Sequence, residues 1–81
     1  MIRHSTLTDQ QLRLMLRAGE LNMAGNAKLK IYGTLHCASG KRMKKENRVF
    51  FSDEQQAIEA GFRPCGHCMK LAYMKWKNAT L

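Results

Sequence analysis

Three cysteines carry the clearest chemistry in the sequence. Cys37 is followed, after 27 residues, by the turn Cys65-Gly66-His67-Cys68. A Cys-x-x-Cys turn can present two thiolates to one tetrahedral metal, and a third cysteine raises the ligand set towards that of a structural zinc site. Pro64 stiffens the approach to the turn. A helix expected directly after it places positive dipole near the thiolates, which favours their ionised, metal-binding form. The same turn can also serve as a redox pair, but the β-α-β context of such pairs is absent here. An odd cysteine count leaves one thiol over in any disulfide framework. Zinc is therefore the expected cofactor, with Cys37, Cys65 and Cys68 as ligands.

Zinc takes a fourth ligand. Three histidines are available. His36 ranks first because it adjoins Cys37, although neighbours on an extended strand point to opposite faces. His67 lies inside the turn, and His4 reaches the site only if the N-terminus folds over it.

Around these residues the chain is short and basic. It has 81 residues and a formal charge of +8, from 14 Lys and Arg against 6 Asp and Glu. A domain of this size buries only about 60% of its unfolded surface, so a metal is a common staple. The charge favours a polyanionic partner, with nucleic acid the expected one; it also keeps a small domain soluble. Lys41, Arg42, Lys44, Lys45 and Arg48 fall within eight residues, opposed only by Glu46, and Arg63 precedes the cysteine turn. These six are the candidate nucleic-acid contacts, acting on phosphate through charge. No helix-turn-helix or finger spacing suggests base reading. Nor is there a Ser-His-Asp set, an acid pair with a clear site or a cofactor fingerprint. No stretch nears the ~20 apolar residues of a membrane span, and the start of the chain lacks the apolar run of a secretory leader. Reduced cysteines and a cytoplasmic location are expected.

The elements that must position these groups read as α+β. Thr8 to Gln11 fits a capping box, with Leu7 and Leu12 as a hydrophobic staple. Leu12, Met15 and Leu16 mark one helical face, and Gly19 a stop. Gly25-Asn26 reads as a turn that closes a first part, residues 1–26. The second part, 27–81, opens with alternation over Lys28 to Tyr32, the pattern of a half-buried strand. Arg48 to Phe51 is a second strand. Ser52 to Gln55 is a second capping box, Gly61 a stop, and Phe62 its hydrophobic partner. Met69 to Lys77 reads as a last helix with Leu71, Ala72 and Trp76 buried. The two parts are expected to form one compact unit: a short sheet with flanking helices.

Residues 32–68 resemble the zinc-binding N-terminal domain of the Ada methylphosphotriester repair protein and its small stand-alone relatives. The resemblance rests on Cys37, on Asn47-Arg48-Val49-Phe50-Phe51, on Ser52-Asp53-Glu54, and on Ala60-Gly61-Phe62-Arg63-Pro64-Cys65 with Cys68. It implies a zinc site of four cysteines and contact with the DNA backbone. Cys37, Cys65 and Cys68 match three of those ligands. The fourth family position, four residues before Cys37, carries the methyl-accepting cysteine, and here it is Gly33. The resemblance thus implies an Ada-like module without that acceptor. A histidine, or water or a partner group, completes the zinc site; alternatively the domain keeps the fold without metal, as a structural or protein-interaction unit.

Overall fold

The computed structural model describes residues 1–37 and 43–79. Among the described residues, five short strands form one sheet in the order β1-β4-β2-β3-β5. They are β1 (Ile2–Arg3), β2 (Met23–Asn26), β3 (Ile31–Thr34), β4 (Arg48–Phe51) and β5 (Arg63–Pro64). The helices are α1 (Asp9–Arg17), α2 (Glu54–Glu59) and α3 (Lys70–Ala79), with single 3-10 turns at His4–Thr6 and Lys45–Asn47. The mixed α+β architecture is the expected one.

Local chemistry sets most boundaries. The Thr8 hydroxyl accepts from the Gln11 amide, and the Gln11 side chain accepts from the Thr8 amide, closing the capping box at α1. Gly19 and Gly61 take positive φ just past α1 and α2, the conformation that ends a helix at least cost to glycine. The cap of α2 falls one residue later than the sequence suggests. Asp53 Oδ1 accepts from the Gln56 amide, while the Ser52 amide donates to Gln56 Oε1.

Two expectations are corrected at the hairpin. Gly25-Asn26 is not a turn but the end of β2, bonded to β3 on one side and β4 on the other. Lys28-Leu29-Lys30 is not strand but the turn between β2 and β3. The Asn26 side chain accepts from the amides of Lys28 and Leu29, which bends the backbone there. Lys30 adopts φ 58° and completes the turn. Gly25 is required for space: a Cβ would stand 3.0 Å from the Ile31 carbonyl oxygen and 3.1 Å from the Phe62 ring.

Alternation along β4 divides the core between the two faces of the sheet. Val49 and Phe51 join Tyr32, Ala57 and Phe62 on the face that α2 covers. Phe50 joins Leu21 and Ala24 on the other, under Leu7, Leu12 and Met15 from the α1 region. Leu12 and Met15 thus point inward as the periodicity predicts, while Leu16 is exposed. Helix α3 departs further from expectation. Leu71 is 82% exposed and Trp76 is also exposed, because the helix packs chiefly on the two-residue strand β5. Among the described residues, no helix is long and apolar enough to cross a membrane.

Phe51 is 1% exposed and meets Phe62 edge-on at 5.0 Å. Phe51→Ala is expected to lower unfolding free energy by about 3–5 kcal/mol, with the cavity as the cause. The exposed Leu14→Ala should stay within about 0.5 kcal/mol of the unaltered protein. Urea denaturation of both variants measures the difference.

Candidate metal centre

The three cysteines arrive from two edges of one strand pair. Strand β3 delivers Cys37 through the turn at Leu35-His36, where the Cys37 amide donates to the Thr34 carbonyl at 3.3 Å. Strand β5 lies parallel to β3, with Ile31 opposite Arg63 and Tyr32 opposite Pro64. Proline costs no ladder bond on this edge strand. Beyond it the Cys65 amide donates to the Tyr32 carbonyl at 2.7 Å, fixing Cys65 beside Gly33. The chain then turns back on itself, the Met69 amide bonding the Cys65 carbonyl, so that Cys68 stands just before α3.

The result is a group of three sulphurs, all within 4.8 Å of one another. Cys37 Sγ and Cys65 Sγ are 3.9 Å apart. No disulfide joins any two of them. That spacing fits zinc: Zn–S bonds of about 2.3 Å at tetrahedral angles put sulphurs about 3.8 Å apart. Backbone amides aim at the sulphurs as well. The Thr34 amide approaches Cys68 Sγ, and the His67 amide approaches Cys65 Sγ, each at 3.4 Å. Such N–H groups offset thiolate charge. Burial is the largest influence on Cys68 and raises its thiol pKa; the Thr34 contacts oppose that shift. In the metal-free protein the Cys68 proton must therefore be displaced for a metal to bind.

Gly33 sits against this group. A Cβ built on it would lie 2.6 Å from Cys68 Sγ and 3.3 Å from Cys65 Cβ. Any side chain at position 33 would start inside the cysteine cluster. Beneath it, the buried Tyr32 hydroxyl donates to Glu54 Oε2 at 2.8 Å, tying β3 to the start of α2. Burial, reinforced by Glu54, raises the Tyr32 pKa and keeps the phenol neutral. A cavity of about 330 Å³ opens beside the cluster, bordered by Gly33, Cys37 and Cys65 and walled by Ile31, Leu29 and Met43.

The histidines stand apart from the sulphurs. His36 and His67 are exposed, and neither contributes to the group of converging ligand atoms. His4 packs edge-on to Phe50, with ring centroids 5.4 Å apart, and follows β1 at the far edge of the sheet from β5. The basic residues divide too. Lys45 pairs with Asp9 at 3.5 Å, and the Arg48 guanidinium lies over Phe50. Lys44 is exposed beside them. Arg63, on β5, borders the cavity and lies over the paired rings of Tyr73 and Trp76, 5.4 and 5.5 Å from their centroids, which are themselves 5.9 Å apart. Strands β4 and β5 are three places apart, about 14 Å at ordinary strand spacing. Lys41 and Arg42 lie outside the described residues. The contact of Arg63 with these paired rings was not read from the sequence; its signal is the i, i+3 spacing of Tyr73 and Trp76 on α3.

The family model described as the metal binding domain of Ada matches residues 17–70, more than half of the chain. The regulatory protein Ada of Salmonella typhimurium is 32% identical over 72 residues, covering 84% of this chain and 20% of the relative. The chain thus spans about a fifth of that relative's length. Among solved structures, the DNA methyl phosphotriester repair domain of E. coli Ada aligns with a TM-score of 0.56 at 28% identity, covering 79% of this chain and 74% of that one.

Since thiols must lose protons to bind zinc, apparent zinc affinity is expected to fall as pH falls through the neutral range. The raised Cys68 pKa carries that dependence to higher pH. Competition with a chromophoric chelator should show a shallower pH slope for Cys68→Ala, alongside weaker binding.

Proposed function

The chain belongs to the family of Ada metal-binding domains, and from that premise we propose that it is a zinc-binding module that docks on the DNA phosphate backbone and lacks the methyl-accepting cysteine. The observation that carries the reading is the convergence of Cys37, Cys65 and Cys68 within 4.8 Å. These three would hold zinc, and zinc so held would tie β3 to the Cys65–Cys68 turn. The acceptor position of the family is read onto Gly33, which has no thiol. The inward aim of a Cβ there supports that correspondence. The role that remains is binding.

Arg63 is the favoured phosphate contact. It borders the cavity beside the cluster, and its planar guanidinium rests over the paired Tyr73 and Trp76 rings, which leaves its N–H groups for phosphate oxygens. Lys44, Lys45 and Arg48, with Lys41 and Arg42, add long-range attraction. A second reading is a metal-free interaction domain. It is favoured by the exposed Leu71 and Met74 on α3.

Metal analysis with a thiol count, on protein purified without added zinc or chelator, separates the two. The zinc reading expects about one zinc per chain and protected thiols. Three readily titrated thiols and no metal would leave the interaction reading. Duplex DNA titrated at rising salt should show a steep loss of affinity. Arg63→Ala should weaken binding and reduce the salt slope by about one unit. Absence of binding at low salt would overturn the DNA assignment.

A further inference from the structure

We infer that the groove between α2 and α3 takes an unpaired nucleic-acid base, stacked on Trp76, so that single-stranded DNA is held more tightly than duplex. The inference rests on the DNA reading above and adds a contact with bases to it.

Three observations combine. First, Trp76 is 38% exposed and borders a groove of about 480 Å³. The walls of that groove include Ile58 from α2, Pro64 from β5 and Ala72 from α3. Ile58 is 49% exposed, so an aromatic and an aliphatic surface stand uncovered across one gap. Second, the charge beside the groove is positive. Helix α3 carries Lys70, Lys75 and Lys77 and no acid, Lys75 lines the groove, and the Arg63 guanidinium lies 5.5 Å from the Trp76 centroid. Third, the indole is braced. Tyr73 pairs with it at 5.9 Å and an interplanar angle of 30°, so less side-chain freedom is lost when a ligand stacks on it.

The groove itself separates base from phosphate. Glu54 also lines it, and its carboxylate, which accepts from the Tyr32 hydroxyl at 2.8 Å, repels a phosphate but not a neutral base. Phosphates are left to Lys75 and to Arg63, which gives one N–H group to the Pro64 carbonyl and has others to donate. Every base has a flat π face, so stacking on an aromatic ring is tolerant of sequence. Inside a duplex those faces are covered by neighbouring bases, and only an unpaired base can offer one. The closeness of Trp76 to Arg63, the favoured phosphate contact, argues for nucleic acid over an acidic peptide as the occupant.

Trp76 is the one tryptophan of the chain, so its fluorescence reports on the groove. Oligodeoxyadenylate added at low salt should quench it saturably, whereas polyphosphate, which has charge but no bases, should not. Anisotropy of labelled strands gives the affinities. Trp76→Leu should weaken oligodeoxyadenylate binding about five- to 150-fold and leave duplex binding nearly unchanged, and Trp76→Phe should recover most of the loss. Duplex bound as tightly as the single strand, with the fluorescence unmoved, would overturn the inference and leave backbone docking standing. Equal quenching by polyphosphate would overturn it too, since charge alone would then move the indole. Quenching by an acidic amphipathic peptide but not by the oligonucleotide would assign the groove to a protein partner instead. Binding of neither strand form would remove the DNA reading, and this inference with it.

Discussion

The amide of Cys65 donates to the carbonyl of Tyr32, and that of Arg63 to the carbonyl of Lys30, at 2.7 and 2.8 Å. This parallel pairing of β3 with β5 joins segments that are about 30 residues apart, and the metal centre depends on it. Without it, Cys37 and the Cys65–Cys68 turn would have no common register. Only two residue pairs form the ladder. Parallel strands also need a long crossover, here through β4 and α2, so closing this contact costs chain entropy. A metal bridging Cys37 to Cys65 and Cys68 spans the same junction, and its binding energy becomes folding energy.

The rest of the fold serves that junction. Val49 and Phe51 pack one face of the sheet and Phe50 the other, so β4 anchors both clusters. Phe62 closes the first cluster immediately before β5, which sets where Arg63, Pro64 and Cys65 emerge. Tyr32 does the same from β3: its ring lies in the core, and its hydroxyl is held by Glu54. Gly33, next in the strand, then faces the opposite way, in a cross-strand row with Ala24 and Phe50. One alternation along β3 therefore separates a core residue from a site residue.

Much of this was legible in the sequence where a residue acts locally. Thr8, Gln11, Gly19 and Gly61 mark helix ends through bonds or dihedrals within a few positions. Arg48 to Phe51 is rich enough in β-formers to announce a strand. The cysteine spacing and the Ala60–Cys65 string pointed to the family. What was not legible depends on partners far along the chain. Met23-Ala24-Gly25-Asn26 has neither alternation nor β-branched residues, and it is a strand because β3 and β4 bond it on both sides. Lys28 to Tyr32 alternates, but the Asn26 side chain bends the first three residues into a turn. Two-residue strands such as β1 and β5 are too short for periodicity to detect. Trp76 resembled a core residue, and instead pairs with Tyr73 beneath the Arg63 guanidinium.

Zinc held by three cysteines of this chain, with no fourth sulphur from position 33, has a distinct signature in X-ray absorption at the zinc edge, measured on zinc-loaded protein in thiol-free buffer. Sulphur scatterers are expected at about 2.3 Å, three in number, with one lighter ligand at most. A shell dominated by nitrogen or oxygen, or one that is unchanged when Cys37, Cys65 and Cys68 are replaced by serine, would contradict it.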